Sequence, residues 1–132
     1  MEFDESTDVK RVEFSEDCFV TGKDKRYPLS DGKRFQLSHD LFKNDAVVLV
    51  DMSRGVKLAS DKGKRAIHIK YPSMPYLGIW QAPETVAPYV CIEPWSSLPS
   101  RKGVIEDLAL QPGLISLAPN CEYHNQFTIE LI

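Results

Sequence analysis

The 132-residue chain has the length of one domain or part of one, and its 42% hydrophobic and 27% charged residues are typical of an ordinary globular protein. The formal net charge of −3 argues against nucleic acid or an anionic membrane surface as a main partner, since both need a clustered basic footprint. The nearest cluster, Lys62 with Lys64 and Arg65, is predicted to be a solvated hairpin end. No apolar run approaches the roughly 20 residues of a membrane helix.

The N-terminal residues and the cysteines predict a cytoplasmic protein. Met1 is followed by acidic residues rather than an apolar segment, so no signal peptide is expected. Cys18, Cys91 and Cys121 are odd in number and lack CxxC spacing, which fits a reduced chain without a disulfide framework or a zinc site. No histidine pairs with a cysteine or another histidine at ligand spacing, so we predict no metal.

In chain order, the N-terminal part is predicted to hold short strands and one helical turn. Residues 1–7 are expected to be disordered. Strands at 18–20 and 27–29 flank a probable turn at 22–24, because that turn is rich in glycine and polar residues. Ser38 is a good N-cap for the helical turn at 38–42.

Five further strands follow. The valine-rich run at 46–52 predicts a strand buried on both faces, whereas residues 64–71 alternate cleanly between an apolar and a polar face. Two apolar strands are predicted at 77–80 and 86–92, and a half-exposed strand at 126–131 ends the chain. Strand spacing of about 8–12 residues indicates an all-β sandwich or barrel. The chain is therefore taken as a single domain or partial domain, 1–132.

Glu93 is the first candidate for chemistry. It is predicted to end an apolar strand, since Pro94 follows at once and lacks the N–H that a β-ladder needs. A carboxylate on rigid, partly dry structure suits a general base that takes a proton from a sugar hydroxyl. The alternative is a structural glutamate that accepts backbone or arginine hydrogen bonds.

Two tryptophans accompany this carboxylate. Trp80 shares one face of its strand with Tyr76, and Gly78 between them is expected to leave that face open to close approach. An aromatic ring beside an open patch and a carboxylate is suited to stacking a pyranose. Trp80 and Trp95 are therefore candidate sugar contacts, with burial in a core as the alternative.

Three segments together resemble the aldose 1-epimerase (galactose mutarotase-like) family. They are residues 42–46 (FKNDA), 76–80 (YLGIW) and 87–95 (APYVCIEPW), of which CIEPW is the most specific. The likeness is to the C-terminal part of the family, closest to bacterial aldose epimerase-like proteins, and it runs from about residue 33 to the end.

The resemblance implies an antiparallel β-sandwich that is the C-terminal portion of a larger galactose mutarotase-like supersandwich. It also implies an isomerase that interconverts the α and β anomers of an aldose without a cofactor. By position, Glu93 matches the family's base, Trp80 an aromatic residue lining the sugar pocket, and Asp45 a sugar-binding aspartate. A sugar-binding or sensing module without catalysis is the alternative, and glycoside hydrolysis with Asp45 as second carboxylate is a third hypothesis.

The sequence also departs from the family. The family's acid histidine, a second active-site histidine and a sugar-binding arginine lie in an N-terminal half that this chain does not match. Residues 96–99 (SSLP) replace the glycine and acidic residue of many relatives, which predicts a different pocket rim. A sandwich cut in two exposes an apolar face and strand edges. We therefore expect self-association or pairing with an N-terminal half, with a small-molecule sugar as ligand.

Overall fold

The computed structural model describes all 132 residues as two antiparallel sheets with one short helical turn. The strands are β1 (Glu2–Phe3), β2 (Lys10–Arg11), β3 (Lys25–Arg26), β4 (Val47–Val50), β5 (Gly55–Ala59), β6 (Ala66–Lys70), β7 (Tyr76–Trp80), β8 (Cys91–Trp95) and β9 (Thr128–Leu131), and the 3-10 turn is His39–Phe42. The first sheet has the order β1-β5-β6-β9 and the second has the order β3-β2-β4-β7-β8. The predicted all-β, antiparallel class is confirmed. No helix has the length to cross a membrane.

The main core lies between the two sheets. Phe3, Val56 and Ile69 face it from the first sheet, while Leu49 and Leu77 face it from the second. All five side chains are 4% exposed or less, which is the burial expected of a close-packed interior. The two sheets are therefore held together mainly by the removal of aliphatic and aromatic surface from water.

Strand β4 is buried on both faces, as its valine-rich sequence predicts. Val47 and Leu49 point into the main core, whereas Val48 joins a second cluster with Val12 and Val20 on the other side of the sheet. Alternation of side chains along a strand produces this division. Loops therefore cover the second sheet's far face, which we call the outer face and which carries the candidate site.

Several predicted elements are confirmed. The alternating segment forms β6, and the basic cluster at 62–65 lies in the exposed turn that joins it to β5, a strand that the sequence analysis did not predict. The helical turn forms at His39–Phe42, although the Ser38 side chain makes no capping hydrogen bond. The terminal strand forms as β9.

Other predictions at the N-terminal side are wrong. Residues 1–7 are not disordered, because β1 pairs with β5 and Phe3 is fully buried. The strands predicted at 18–20 and 27–29 do not form; Val20 makes only isolated bridges, and β3 ends at Arg26. Apolar residues there fill gaps under the sheets without joining a regular ladder.

The strand predicted at 86–92 is displaced and becomes β8, Cys91–Trp95. Gln81 explains the shift, since its buried side-chain amide donates hydrogen bonds to the carbonyls of Ala87 and Tyr89, 2.6 and 2.8 Å away. Those carbonyls are satisfied without a ladder. Glu93 consequently lies in the middle of β8 and does not end it. Pro94 is tolerated because β8 is an edge strand.

Candidate functional site

The register of β7 against β8 brings the predicted site residues onto the outer face of the second sheet. Gly78 is directly opposite Glu93, and Tyr76 is opposite Trp95. Directly opposed residues of an antiparallel pair project from the same face, so Glu93, Trp95 and Trp80 share it. The main core lies behind them and holds β7 rigid through Leu77 and Ile79.

Glu93 is held by its neighbour on the same strand. The indole Nε1 of Trp95 donates a hydrogen bond to Glu93 Oε2 at 3.2 Å, and both residues are partly buried. The other carboxylate oxygen has no hydrogen-bond partner, and Glu93 takes part in no ion pair. One oxygen is thus positioned by the indole, while the second is available to accept a proton from a ligand.

The sequence analysis predicted an open patch at Gly78, but the structure shows the Trp95 side chain there. The indole of Trp95 lies across it, and a Cβ at Gly78 would come within 3.1–3.2 Å of the Trp95 Cε2, Cζ2 and Nε1 atoms. The glycine is needed so that the ring can lie flat against the strand beside Glu93. Trp95 is therefore neither fully buried nor free, and its orientation fixes the carboxylate.

A second indole–carboxylate pair lies on the same face. Trp80 Nε1 donates a hydrogen bond to Asp45 Oδ1 at 2.7 Å, which joins the end of β7 to a residue two positions before β4. Asp45 has a left-handed backbone conformation, with φ 71°, and aspartate tolerates this better than most residues. Tyr89 packs beside Trp80, with ring centroids 6.5 Å apart.

A cavity of about 730 Å³ opens beside these pairs. Its lining includes Asp45 and Trp95 from the predicted set, together with Glu16, Lys43 and Asn44, which sequence reasoning missed. The volume is within the range of small-molecule sites. Lys43 forms an ion pair with Asp40 at 2.9 Å, and this hydrogen bond lowers the pKa of the Asp40 carboxyl. Only the position of Lys43 and Asn44 next to Asp45 in sequence could have revealed them.

None of the three histidines forms a hydrogen bond with Glu93. His39 contacts the Gln81 side-chain oxygen at 2.7 Å, His68 contacts Asp4 at 2.8 Å on the first sheet, and the exposed His124 is near Glu122. None lines the cavity. The arrangement brings together a carboxylate, two indoles and a second carboxylate, and the described site contains no histidine.

Comparison with known proteins bears on this geometry. No family model matches the sequence. The chromosomal protein LacX of Lactococcus lactis subsp. lactis is 30% identical over 86 residues, which are 64% of this chain and 28% of LacX. The plasmid-encoded LacX of the same organism gives the same identity and coverage.

Two solved structures have the same fold. A galactose mutarotase related enzyme from Lactobacillus acidophilus matches with a TM-score of 0.80 and 30% identity over 96% of this chain and 42% of its own. A galactose mutarotase-like protein from Lactobacillus casei matches with a TM-score of 0.79 and 25% identity, over 98% of this chain and 44% of its own. The resemblance to galactose mutarotase-like proteins is confirmed. The chain spans less than half the length of the relatives it matches.

Proposed function

We propose that this chain supplies the carbohydrate-binding face and the glutamate base of an aldose 1-epimerase-like protein. The observation that carries the proposal is the pair of carboxylates on one sheet face, each held by an indole N–H. Asp45 and the Trp95 indole that holds Glu93 line a ligand-sized cavity, whereas Glu93 and Trp80 are not among its lining residues. Carboxylate oxygens accept hydrogen bonds from sugar hydroxyls, and aromatic rings cover the apolar faces of a pyranose.

In the proposed reaction, Glu93 takes the proton of the anomeric hydroxyl as the bond between C1 and the ring oxygen breaks. An acid must protonate the ring oxygen at the same time, giving the open aldehyde. Rotation about C1–C2 and closure on the other face of the carbonyl give the second anomer and return both protons. Asp45 and Trp80 hold the sugar during these steps.

The alternative is a module that binds a sugar without turnover. The specific observation in its favour is that His39, His68 and His124 contact other side chains and that none of them lines the cavity. A base without an acid gives only part of the general acid–base effect. We therefore expect the 132-residue chain to bind a sugar and to show little mutarotation by itself.

Intrinsic fluorescence provides a direct binding test, because Trp80 and Trp95 are the chain's two tryptophans and both lie in the site. Titration with D-galactose and with D-glucose should give a saturable change in emission. Asp45→Asn should weaken binding about tenfold or more, since a hydrogen bond to a charged oxygen is lost while the Trp80 contact is kept. Absence of any saturable change with either sugar would contradict the proposal.

Asp51→Asn is the matched control. Asp51 also has a left-handed backbone, with φ 64°, and directly follows the strand that Asp45 precedes, but it pairs with Lys10 away from the site. Its sugar affinity should be unchanged. Polarimetry on fresh α-D-galactose then separates the two functions: a slow mutarotation above the uncatalysed rate that is lost in Glu93→Gln supports the epimerase. Saturable binding with no catalysis supports the module.

A further inference from the structure

The C-terminal region presents apolar side chains that the chain itself does not cover. From Arg101 to the end, every residue is exposed except Glu106 and Gln111. Ile105, Leu108 and Leu110 have relative exposures of 103%, 73% and 79%. We call residues 104–117 and 127–132 together the C-terminal apolar surface. Exposure of so many neighbouring aliphatic residues marks a contact surface.

The total surface area supports this interpretation quantitatively. The 15.0 kDa chain exposes 9151 Å², whereas a compact monomer of that mass exposes roughly 7000 Å². The excess of about 2100 Å² is the area that one partner contributes to a large, permanent interface.

Strand β9 shows on which side of the first sheet a partner would have to pack. Ile129 pairs with Ile69 and Leu131 pairs with Ile67, so both side chains project from the core-facing side of the first sheet. Ile69 is buried there, yet Ile129 and Leu131 are 56% and 82% exposed. The second sheet therefore ends before it covers β9. The apolar face continues past the core.

The core itself also has an opening on this side. A cavity of about 530 Å³ is lined by side chains normally found inside a sandwich, among them Leu37, Phe42, Leu58 and Val90. Leu58 belongs to the same cross-strand row as Ile67 and Leu131. The opening and the bare face of β9 are therefore neighbouring parts of one surface.

Two strand edges are also free for pairing. Strands β8 and β9 each hydrogen-bond to one neighbour only and end their sheets. An edge strand carries unpaired backbone N–H and C=O groups that can continue a ladder with another segment. The required partner thus has both an apolar sheet face and strand edges of its own.

We infer that this surface is the contact face for a β-rich polypeptide equivalent to the part of the solved relatives that this chain does not match, whether joined to it or separate. Those relatives contain the same arrangement within chains more than twice as long, since the match covers 42% and 44% of them. A second copy fits less well. Two-fold pairing of β9 strands that aligned Ile129 with Leu131 would place Glu130 opposite its own copy, and like charges there are unfavourable.

The inference is tested by co-expressing the 132-residue chain with a tagged segment of the Lactobacillus acidophilus protein that comprises its unmatched residues. We expect a one-to-one complex by size-exclusion chromatography with light scattering, and slowed amide hydrogen exchange at 104–117 and 127–132. A chain that stays monomeric beside the segment would overturn the inference. So would a homodimer whose mass is unaffected by the segment.

Matched substitutions on β9 locate the contact. Leu131→Glu places a charge on the core-facing side and should weaken the complex about tenfold or more, because burial of one leucine is lost. Thr128→Glu introduces the same charge on the opposite face of the same strand and should have little effect. Both side chains are exposed in the free chain, so folding is preserved and far-ultraviolet circular dichroism checks it. Equal effects of the two variants would overturn the assignment. These measurements do not involve a sugar and are independent of the proposed function.

Discussion

Residues 1–81 and residues 101–132 both contain many apolar side chains, but only the first region buries them. All 18 buried residues lie between Phe3 and Gln81, whereas the last 32 residues contribute none. The C-terminal region nevertheless forms regular structure, since β9 pairs with β6 over four residues. Backbone pairing therefore attaches this region to the fold, while burial, which supplies most of the stabilisation, occurs elsewhere.

The largest effect expected from this contrast concerns two leucines. Leu49 is fully buried in the main core, and Leu49→Ala should lower the free energy of unfolding by about 2–5 kcal/mol, because a cavity remains. Leu110→Ala removes the same atoms from an exposed position and should change it by less than about 0.5 kcal/mol. Urea denaturation of both variants measures the difference. Equal destabilisation would show that residues 101–132 pack against the core.

A tyrosine pair tests the same contrast through a hydrogen bond. The Tyr71 hydroxyl donates to the Ser53 carbonyl at 3.1 Å, the residue is fully buried, and this burial raises the pKa of its phenol. Tyr71→Phe should cost about 1–2 kcal/mol, since the carbonyl loses its donor. The exposed Tyr123 is the control, and Tyr123→Phe should be neutral. A neutral Tyr71→Phe would mean that water replaces the hydroxyl.

Sequence periodicity predicted the strands whose side chains alternate or are uniformly apolar. The strands predicted at 64–71 and 46–52 formed as β6 and β4. At least one face of each strand packs against a core, and this burial requires the apolar pattern that was seen in the sequence. Periodicity gave a wrong strand position where one side chain forms hydrogen bonds to the backbone in place of a neighbouring strand. The hydrogen bonds of Gln81 to 87 and 89 replace a ladder, and nothing in the local pattern indicates them.

The sequence indicated which candidate side chains lie near one another but only part of their geometry. Glu93, Trp80, Trp95 and Asp45 do share one region, yet the pairing of each indole with a carboxylate depends on side-chain conformations that sequence spacing does not determine. Cavity residues such as Glu16 come from a loop far away in sequence, so only the tertiary fold brings them close. The roles of these residues in sugar binding stay predictions.

A smaller effect is expected from a substitution at Gly78. It tests whether this glycine makes room for the Trp95 indole or only leaves the sheet face open. Gly78→Ala brings a methyl group within 3.1–3.2 Å of the Trp95 indole, so the ring must shift away from the strand. We expect a cost of about 1 kcal/mol from overpacking and a changed tryptophan emission. Gly63→Ala, at a position with open space, is the control and should alter neither. Unchanged emission in Gly78→Ala would show that the indole is not held against β7.

The smallest effect concerns the ion pairs that hold β1. Arg34 and Lys33 lie 3.1 and 3.2 Å from Glu2, and their hydrogen bonds, Arg34's first, lower the pKa of its carboxyl below the ordinary value of 4.5. The folded state therefore favours the ionised form, and the stabilisation is present above about pH 4.5 and is lost as the pH falls through the lowered pKa. Solvent exposure and salt screening keep it small.

Glu2→Gln should accordingly destabilise the protein slightly at neutral pH and converge with the unmodified chain in acid. Urea midpoints compared from about pH 6 to about pH 3, at low and high salt, measure this. Glu5→Gln removes an exposed carboxylate that forms no ion pair, and its difference should not depend on pH in the same way. A pH-independent difference for Glu2→Gln would show that these ion pairs do not stabilise β1, and would leave its attachment to the ladder with β5 and to the burial of Phe3.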